Sequence, residues 1–167
     1  MGNNAFEACK ISSVNLTGST ITTIPNSAFA NISTLTTATV PTSVTEIVWR
    51  AFGDDSALTT VSGLSNVTTI GGHAFESCSN LTTIDIDWTK VTGLGEYAFL
   101  NCGITGALNL SSLAMDSNNG APWEIFKNTN ITSVTSLGST ISIPRGMFEK
   151  CSNLTSVTLP STCHKIW

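Results

Sequence analysis

The phenylalanines of this chain recur at a nearly constant interval, and that interval constrains the fold more than any other feature. Successive phenylalanines are 23, 23, 23, 24, 27 and 22 residues apart. The series contains every phenylalanine in the sequence: Phe6, Phe29, Phe52, Phe75, Phe99, Phe126 and Phe148. Internal periods of about 20–50 residues are typical of solenoids, in which each unit packs only on its neighbours. The spacing therefore predicts a stack of similar coils.

The segment after each phenylalanine carries alternating apolar residues. In the clearest copy, Leu81, Ile84 and Ile86 follow Phe75 with the spacing L-x-x-I-x-L. This alternation predicts a strand with one buried face. A second short apolar step, represented by Ile70, precedes the next phenylalanine. We therefore expect two extended segments in each unit, joined by short turns or helical pieces around the Ala-Phe pair.

These residues resemble the leucine-rich repeat of the BspA-like type, which runs roughly A-F-x-x-C-x-x-L-x-x-I-x-L-P with I-G before the next A-F. The matching residues in the clearest unit are Ile70, Gly71, Ala74, Phe75, Cys78, Leu81, Ile84 and Ile86. Two further units match at Ala98, Phe99 and Cys102, and at Phe148, Cys151, Leu154, Val157, Leu159 and Pro160. The resemblance implies a repeat solenoid of leucine-rich units of about 23 residues, mainly parallel β.

No linker or change of composition divides the sequence, so we expect residues 1–167 to form a single solenoid domain of about seven units. The pattern begins inside one repeat, at Ala5-Phe6, and stops inside another, at Ile166-Trp167. It therefore predicts a fragment of a longer array. One stretch, 111–122, is several residues longer than its equivalents.

Charge and hydropathy narrow the possible partners. Charged residues make up 11% of the chain and the net charge is −4. The basic residues form no cluster, which argues against a nucleic-acid partner. No apolar run approaches the roughly 20 residues that a membrane span needs, so no direct membrane insertion is expected.

Cysteine follows the repeat rather than a metal-binding spacing. Cys9, Cys78, Cys102 and Cys151 each come three residues after their phenylalanine. We expect buried, reduced thiols there, because free cysteine packs as a small hydrophobic residue. Only Cys78 and Cys102, on adjacent coils, could approach closely enough for a disulfide. Asp55 occupies the same repeat position, and the cost of burying a carboxylate predicts that it lies outside or is hydrogen-bonded.

The sequence contains no group of residues with recognisable catalytic, cofactor-binding or metal-binding chemistry. The two histidines, His73 and His164, are far apart and are expected to be solvent-exposed turn residues. No C-x-x-C pair occurs. We therefore expect no enzyme activity and no cofactor. An enzyme would need a polar cluster that interrupts the repeat, and only the 111–124 insertion is irregular enough to contain one.

Two surfaces are candidates for ligand binding. The outward positions of the strands are mostly Ser and Thr, including Thr60 and Thr83, and stacking predicts two rows of hydroxyl groups. Asp85, Asp87 and Trp88 are expected to follow each other on the strand that begins near Thr83, with Asp85 and Asp87 pointing to the same side and Trp88 outside the core. These five residues are the predicted ligand-binding set; the alternative is that they reflect only β-propensity and surface solubility. The alternative surface is the insertion, with Met115, Asp116 and Trp123.

The function follows only from the resemblance. BspA-like proteins are typically surface or secreted proteins of host-associated bacteria and some protozoa, linked with adhesion to host matrix proteins. The resemblance thus implies a non-enzymatic binding or adhesion module, extracellular or at the cell surface, whose partner is a host or matrix protein or a glycan. The alternatives are a passive spacer within a larger surface protein, or part of an enzyme whose catalytic domain lies elsewhere.

Overall fold

The computed structural model describes residues 1–115, 123–140 and 142–167. The chain winds into a solenoid whose coils contribute short parallel strands separated by turns. The strands are β1 (Ser13–Asn15), β2 (Thr23–Ile24), β3 (Thr37–Thr39), β4 (Glu46–Ile47), β5 (Thr60–Ser62), β6 (Thr69–Ile70), β7 (Thr83–Ile84), β8 (Gly93–Leu94), β9 (Thr105–Asn109), β10 (Asn130–Ser136), β11 (Ser142–Ile143), β12 (Ser156–Val157) and β13 (Lys165–Ile166). Within the described ranges the one helical element is a short 3-10 helix, Trp88–Lys90.

Every strand pair is parallel and joins equivalent positions of successive coils. The sheets have the strand orders β1-β3-β5-β7, β2-β4-β6-β8, β9-β10-β12 and β11-β13. Side chains of one repeat position therefore stack in rows, as Val14, Ala38, Val61 and Ile84 do on the inner side of the first sheet. This architecture confirms the leucine-rich-repeat solenoid predicted from the periodicity. The first sheet nevertheless stops at β7, and β9 begins a separate sheet.

The phenylalanines form a continuous stack through the core. Neighbouring rings have centroids 5.2–5.9 Å apart and planes within 17° of parallel. The five from Phe29 to Phe126 are fully buried, whereas Phe6 is 39% exposed. Stacked aromatic pairs add about 0.5–1.5 kcal/mol beyond the burial of their area. The regular spacing in the sequence thus corresponds to one ring per coil along the core.

The Ala-Phe segment is a turn in each coil and contains no helix among the described residues. Its two flanking residues, two positions before and two after the phenylalanine, have positive φ. Among the described residues, all thirteen non-glycine residues with positive φ occupy these positions, and Gly146 completes the set. The left-handed conformation costs about 1–2 kcal/mol per residue. Hydrogen bonds between coils offset this cost, because alternate N–H groups of the turn point along the solenoid axis. The N–H groups of Phe52 and Asp54, for example, donate to the carbonyl oxygens of Ala74 and Glu76 at 2.9 and 2.8 Å.

Asp55 is buried at the position where other coils carry cysteine. Its Oδ1 accepts a hydrogen bond from the backbone N–H of Ile32 at 2.6 Å, and its Oδ2 has no hydrogen-bond partner among the described residues. The expected hydrogen bond is therefore present, but the side chain stays inside. Burial, which outweighs the hydrogen bond from Ile32, raises the pKa of Asp55 to about 8.

The cysteines are all free thiols, and three of the four in the repeat position are buried. Cys78 and Cys151 donate hydrogen bonds from Sγ to the carbonyl oxygens of Phe52 and Phe126, both at 3.0 Å, so each thiol contacts the previous coil. Burial raises the pKa of Cys78 and raises that of Cys102 to about 12. The prediction of burial is wrong for Cys9, which is exposed. Cys9 lies on the first coil, which packs against a neighbour on one side only.

Thiol labelling should distinguish these environments. We expect Cys9 to react with iodoacetamide in native buffer, and Cys163, which is half-buried, to react more slowly. Cys78, Cys102 and Cys151 should react only after unfolding, because their side chains are buried and the reagent cannot reach the sulfur atoms. Mass spectrometry with peptide mapping counts and locates the adducts. Rapid modification of Cys78, Cys102 and Cys151 in the folded protein would contradict their burial in the core.

Candidate functional site

The predicted rows of hydroxyl groups are present on the outer side of the first sheet. Pairing places Thr60 directly between Thr37 and Thr83. In the second row, the hydroxyl of Ser62 donates to that of Thr39 at 3.2 Å. The first row spans β1 to β7, and the second spans β1 to β5 because β7 ends at Ile84. Neither row continues in register into β9, which belongs to another sheet.

Asp85 has a structural partner rather than a free carboxylate. Its two oxygens accept hydrogen bonds from the backbone N–H groups of Gly63 and Leu64, both at 2.8 Å. Gly63 has φ +91°, and a Cβ there would lie 1.8 Å from the carbonyl oxygen of Val40. The carboxylate thus holds a tight turn of the previous coil in place.

Asp87 and Asp85 do not share a strand, which corrects the prediction from alternation. β7 ends at Ile84, and Asp87 is the N-cap of the 3-10 helix. Its Oδ1 accepts from the hydroxyl and the backbone N–H of Thr89, at 2.6 and 3.1 Å. The hydrogen bond from the Thr89 hydroxyl is the main reason that the pKa of Asp87 is lowered. Asp87 therefore stabilises the turn in which it lies, whereas Asp85 stabilises a turn of the previous coil.

Trp88 lies against the core, so its predicted position outside the core is wrong. The indole packs edge-on against Phe99 and Phe126, with centroid distances of 5.5 and 6.1 Å. It is half-buried and packs against the core. The 3-10 helix at Trp88–Lys90 turns the side chain inward at the break between β7 and β9. Of the five predicted residues, Thr60 and Thr83 share a row. Asp85 and Asp87 accept hydrogen bonds from turns, and Trp88 packs against the core.

A different surface, which the sequence interpretation missed, gathers the aromatic side chains. We call the side formed by the Ala-Phe turns the turn face. Trp49, His73 and Tyr97 come two or three residues before a phenylalanine on successive coils and form an aromatic row. The ring centroids of Trp49 and His73 are 5.6 Å apart, and those of His73 and Tyr97 are 5.0 Å apart. Trp49 is 47% exposed. His73 is half-buried, so the expectation of a solvent-exposed histidine is wrong for it, whereas His164 is exposed as expected.

Ion pairs connect neighbouring coils on the turn face. Arg50 pairs with Asp54 in its own turn and with Glu7, 3.7 Å away, two coils earlier. Lys127 lies 3.0 Å from Glu124 and 3.2 Å from Glu149 on the next coil. These charges are paired and partly exposed, so they fix side-chain positions more than they stabilise the fold.

The insertion is only partly described. Met115 is buried and Trp123 is 43% exposed. Asp116, and the rest of the stretch 116–122 in the predicted alternative site, lie outside the described residues. Trp123 precedes Phe126 by three residues, as Trp49 precedes Phe52. The exposed tryptophan of the insertion thus belongs to the turn face.

No group of three or more His, Cys, Asp or Glu side chains comes together in a metal-binding arrangement within residues 1–115, 123–140 and 142–167. In the same ranges, no helix is long and apolar enough to cross a bilayer.

The BspA-type leucine-rich-repeat region model matches this chain in six copies, over residues 1–121 and 121–167. No functionally curated protein matches the sequence. Leucine-rich repeat proteins are typically non-enzymatic, and their solenoids serve binding or structural roles.

Two solved structures share the fold. A leucine-rich repeat protein from Bacteroides ovatus superposes with a TM-score of 0.61 and 18% identity, over 94% of this chain and 50% of that one. A leucine rich cell surface protein from Faecalibacterium prausnitzii superposes with a TM-score of 0.61 and 21% identity, over 90% and 48%. The chain thus spans about half the length of either structure. The repeat pattern, the stacked coils and the match along the whole sequence show that this chain belongs to the BspA-type leucine-rich-repeat family.

Proposed function

We propose that this chain is a non-enzymatic binding module of an extracellular or cell-surface protein, and that it recognises a protein or a glycan through the surface of its repeats. The observation that carries the proposal is the exposure of Trp49 and Trp123, 47% and 43%, on the turn face. Tryptophan is among the residues that contribute most to binding energy at interfaces. The description of the Faecalibacterium prausnitzii structure as a cell surface protein supports the location.

The turn face suits recognition because its backbone is fixed on both sides. The N–H of Arg50 donates to Gly72 at 2.8 Å and that of His73 donates to Glu96 at 2.9 Å, so each turn is bonded to the next. Side chains on such a rigid array lose little conformational entropy when a partner binds. The hydroxyl rows are equally regular, but Ser and Thr rarely dominate binding energy. We therefore place the main contacts on the turn face and keep Thr60 and Thr83 as the competing site.

A binding panel tests this proposal. The parent chain is measured against immobilised extracellular-matrix proteins and glycans by surface plasmon resonance. We expect the double variant Trp49→Ala/Trp123→Ala to lose about tenfold or more in affinity for the ligand that binds, since loss of an aromatic anchor costs more than about 1 kcal/mol. The control Thr60→Ala/Thr83→Ala should change the affinity by less than about threefold.

If only Thr60→Ala/Thr83→Ala lost affinity for the ligand, the binding site would lie on the outer side of the first sheet. Failure of the parent to bind any member of the panel would contradict the binding function and favour the passive spacer. Thermal denaturation of both variants should match the parent, which shows that lost binding reflects lost contacts.

A further inference from the structure

Within the proposed binding function, on which this step rests, we propose that the partner is a protein and that one of its arginine or lysine side chains binds against Trp49 and Glu96 on the turn face. Trp49 supplies an exposed aromatic ring, and Glu96 supplies an exposed carboxylate. The adjoining groove across β4, β6 and β8 receives the segment of the partner that carries the basic side chain.

Trp49 and Glu96 belong to one column of residues along the turn face. Backbone hydrogen bonds align this column: the N–H groups of Arg50 and His73 donate to the carbonyl oxygens of Gly72 and Glu96 at 2.8 and 2.9 Å. Each member lies three residues before the phenylalanine of its coil, except Glu96 and Arg145 only in the sense that their own phenylalanines are Phe99 and Phe148. The members, in coil order, are Trp49, Gly72, Glu96, Trp123 and Arg145. We call them the tryptophan column.

The side chains of Trp49 and Glu96 converge above Gly72, which has none. From the position of a Cβ on Gly72, Cγ of Glu96 is 3.4 Å away and Cδ1 of Trp49 is 3.5 Å away. The stem of the carboxylate and the edge of the indole are therefore neighbours, although one coil separates them. A cation over an indole is attracted by the ring, and a carboxylate beside it forms charge-assisted hydrogen bonds with the same cation.

The charges around this pair favour a cationic ligand. In the part of the chain that the structure describes, neither Glu96 nor Glu46 at the rim of the groove forms an ion pair, and both are exposed. The nearby cation, Arg50, is already paired with Asp54 and Glu7. The surface beside Trp49 is thus negatively charged, which attracts a basic partner and repels an anionic one.

Trp123, the second exposed tryptophan of the column, has a different environment. The next member after it is Arg145, which is exposed and forms no ion pair among the described residues. A guanidinium beside Trp123 opposes the approach of another cation. Cγ of Glu96 also lies close to Gly72, on the side of Trp49. We therefore expect the basic side chain at Trp49 and not at Trp123.

The groove next to the site favours a protein segment over a small cation. It has a volume of about 280 Å³ and is lined by the residues that precede the column on three coils, 46–48, 69–71 and 93–95. Three of these nine residues are glycine, so the backbone of an extended segment can approach closely. Glu46 lies three residues before Trp49 along the chain, on the order of 10 Å away. A segment with spaced basic residues can thus reach Glu46 and Glu96 together.

Titration of the ¹⁵N-labelled chain with three capped heptapeptides, followed by NMR, tests the assignment. In the first peptide arginine alternates with valine, and in the others citrulline or glutamate replaces arginine. We expect the arginine peptide to bind at low salt with a Kd of about 1 mM or tighter and to shift the indole N–H signal of Trp49. The citrulline peptide, which keeps the shape without the charge, should bind at least about fivefold more weakly, and the glutamate peptide more weakly still.

Three variants and one matched control locate the basic side chain. Trp49→Ala and Glu96→Gln should each weaken the arginine peptide by at least about fivefold. Glu96→Arg should remove the preference for the arginine peptide over the glutamate peptide. The control Trp123→Ala removes a tryptophan of similar exposure from the same column and should leave the affinity within about twofold of the parent. Unchanged melting temperatures would show that lost binding reflects lost contacts.

Two results would overturn the site. Equal losses in Trp49→Ala and Trp123→Ala would show that Trp49 has no special role. Equal affinities for the arginine and citrulline peptides would show that no charge is recognised.

The cation site and the broader function fail in different ways. If the arginine peptide does not bind, but a matrix protein binds the parent and is lost in Trp49→Ala, the binding function stands and the assignment of a basic ligand is wrong. If neither the arginine peptide nor a matrix protein binds, both the assignment and the binding function are wrong.

Discussion

Replacement of Phe75 by alanine is expected to lower the free energy of unfolding by about 3–5 kcal/mol, the usual cost of removing a buried aromatic side chain. Phe75 is fully buried, and its ring stacks on Phe52 and Phe99 at 5.4 and 5.2 Å. The variant leaves a cavity and removes two ring contacts in the middle of the stack. Urea denaturation followed by circular dichroism measures the change, with the slope of the transition showing whether unfolding stays cooperative.

Phe6→Ala is the matched control because it makes the same change in the same stack. Phe6 is 39% exposed and has one ring neighbour, Phe29, so we expect a cost at least about twofold smaller. Trp88→Ala should also destabilise the fold, because the indole contacts Phe99 and Phe126. Equal shifts for Phe6→Ala and Phe75→Ala would contradict the view that the stack stabilises each coil through both neighbours.

Asp55→Cys is expected to raise stability at pH 8 by several kcal/mol. It replaces a buried carboxyl, which has one unpartnered oxygen, with the residue that occupies this position in the next coil. The folded pKa of Asp55 is about 8, above the unfolded value of about 3.9. The folded state therefore holds the proton more tightly. Protonated Asp55 contributes this stability in full below about pH 4, and the contribution is lost as the pH rises through about 8.

The pH dependence separates charge from packing. The difference in unfolding free energy between Asp55→Asn and the parent should grow from pH 4 to pH 9, because asparagine keeps the shape and the acceptor for the Ile32 N–H but cannot ionise. A shift of one pKa unit corresponds to about 1.4 kcal/mol, so the difference should grow by about 5 kcal/mol between pH 4 and pH 9. A constant difference across this range would show that Asp55 ionises normally in the folded protein.

The periodic phenylalanines were sufficient to predict the solenoid, because a residue that recurs once per coil and is never exchanged must stack on itself. Alternation also placed Thr60 and Thr83 correctly in one outward row. The same rule failed four residues later. It assumed that the strand continues to Asp87, whereas Asp87 accepts hydrogen bonds from Thr89 and starts a helix. Local side-chain to backbone bonds compete with strand pairing.

The aromatic row was missed for a different reason. Trp49, His73 and Tyr97 are three different residues, at slightly different offsets from their phenylalanines, so they do not form an obvious repeat position. Their approach depends on the left-handed turns, which no composition signal marks, because residues as different as Arg50 and Tyr97 adopt them. A search for aromatic residues two or three places before each phenylalanine would have found the row.

The hydrogen bonds of the turns also give the solenoid a polarity. The N–H groups of Phe29, Phe52 and Phe75 donate to Ala51, Ala74 and Ala98, always from one coil to the following coil. Peptide dipoles aligned in this way add along the axis, as they do in an α-helix. One end of the turn column therefore offers carbonyl groups and the other offers N–H groups. Two such columns can continue one another only head to tail, since symmetric pairing would set donor against donor. Head-to-tail contacts of this kind give rings or filaments and not two-fold symmetric dimers.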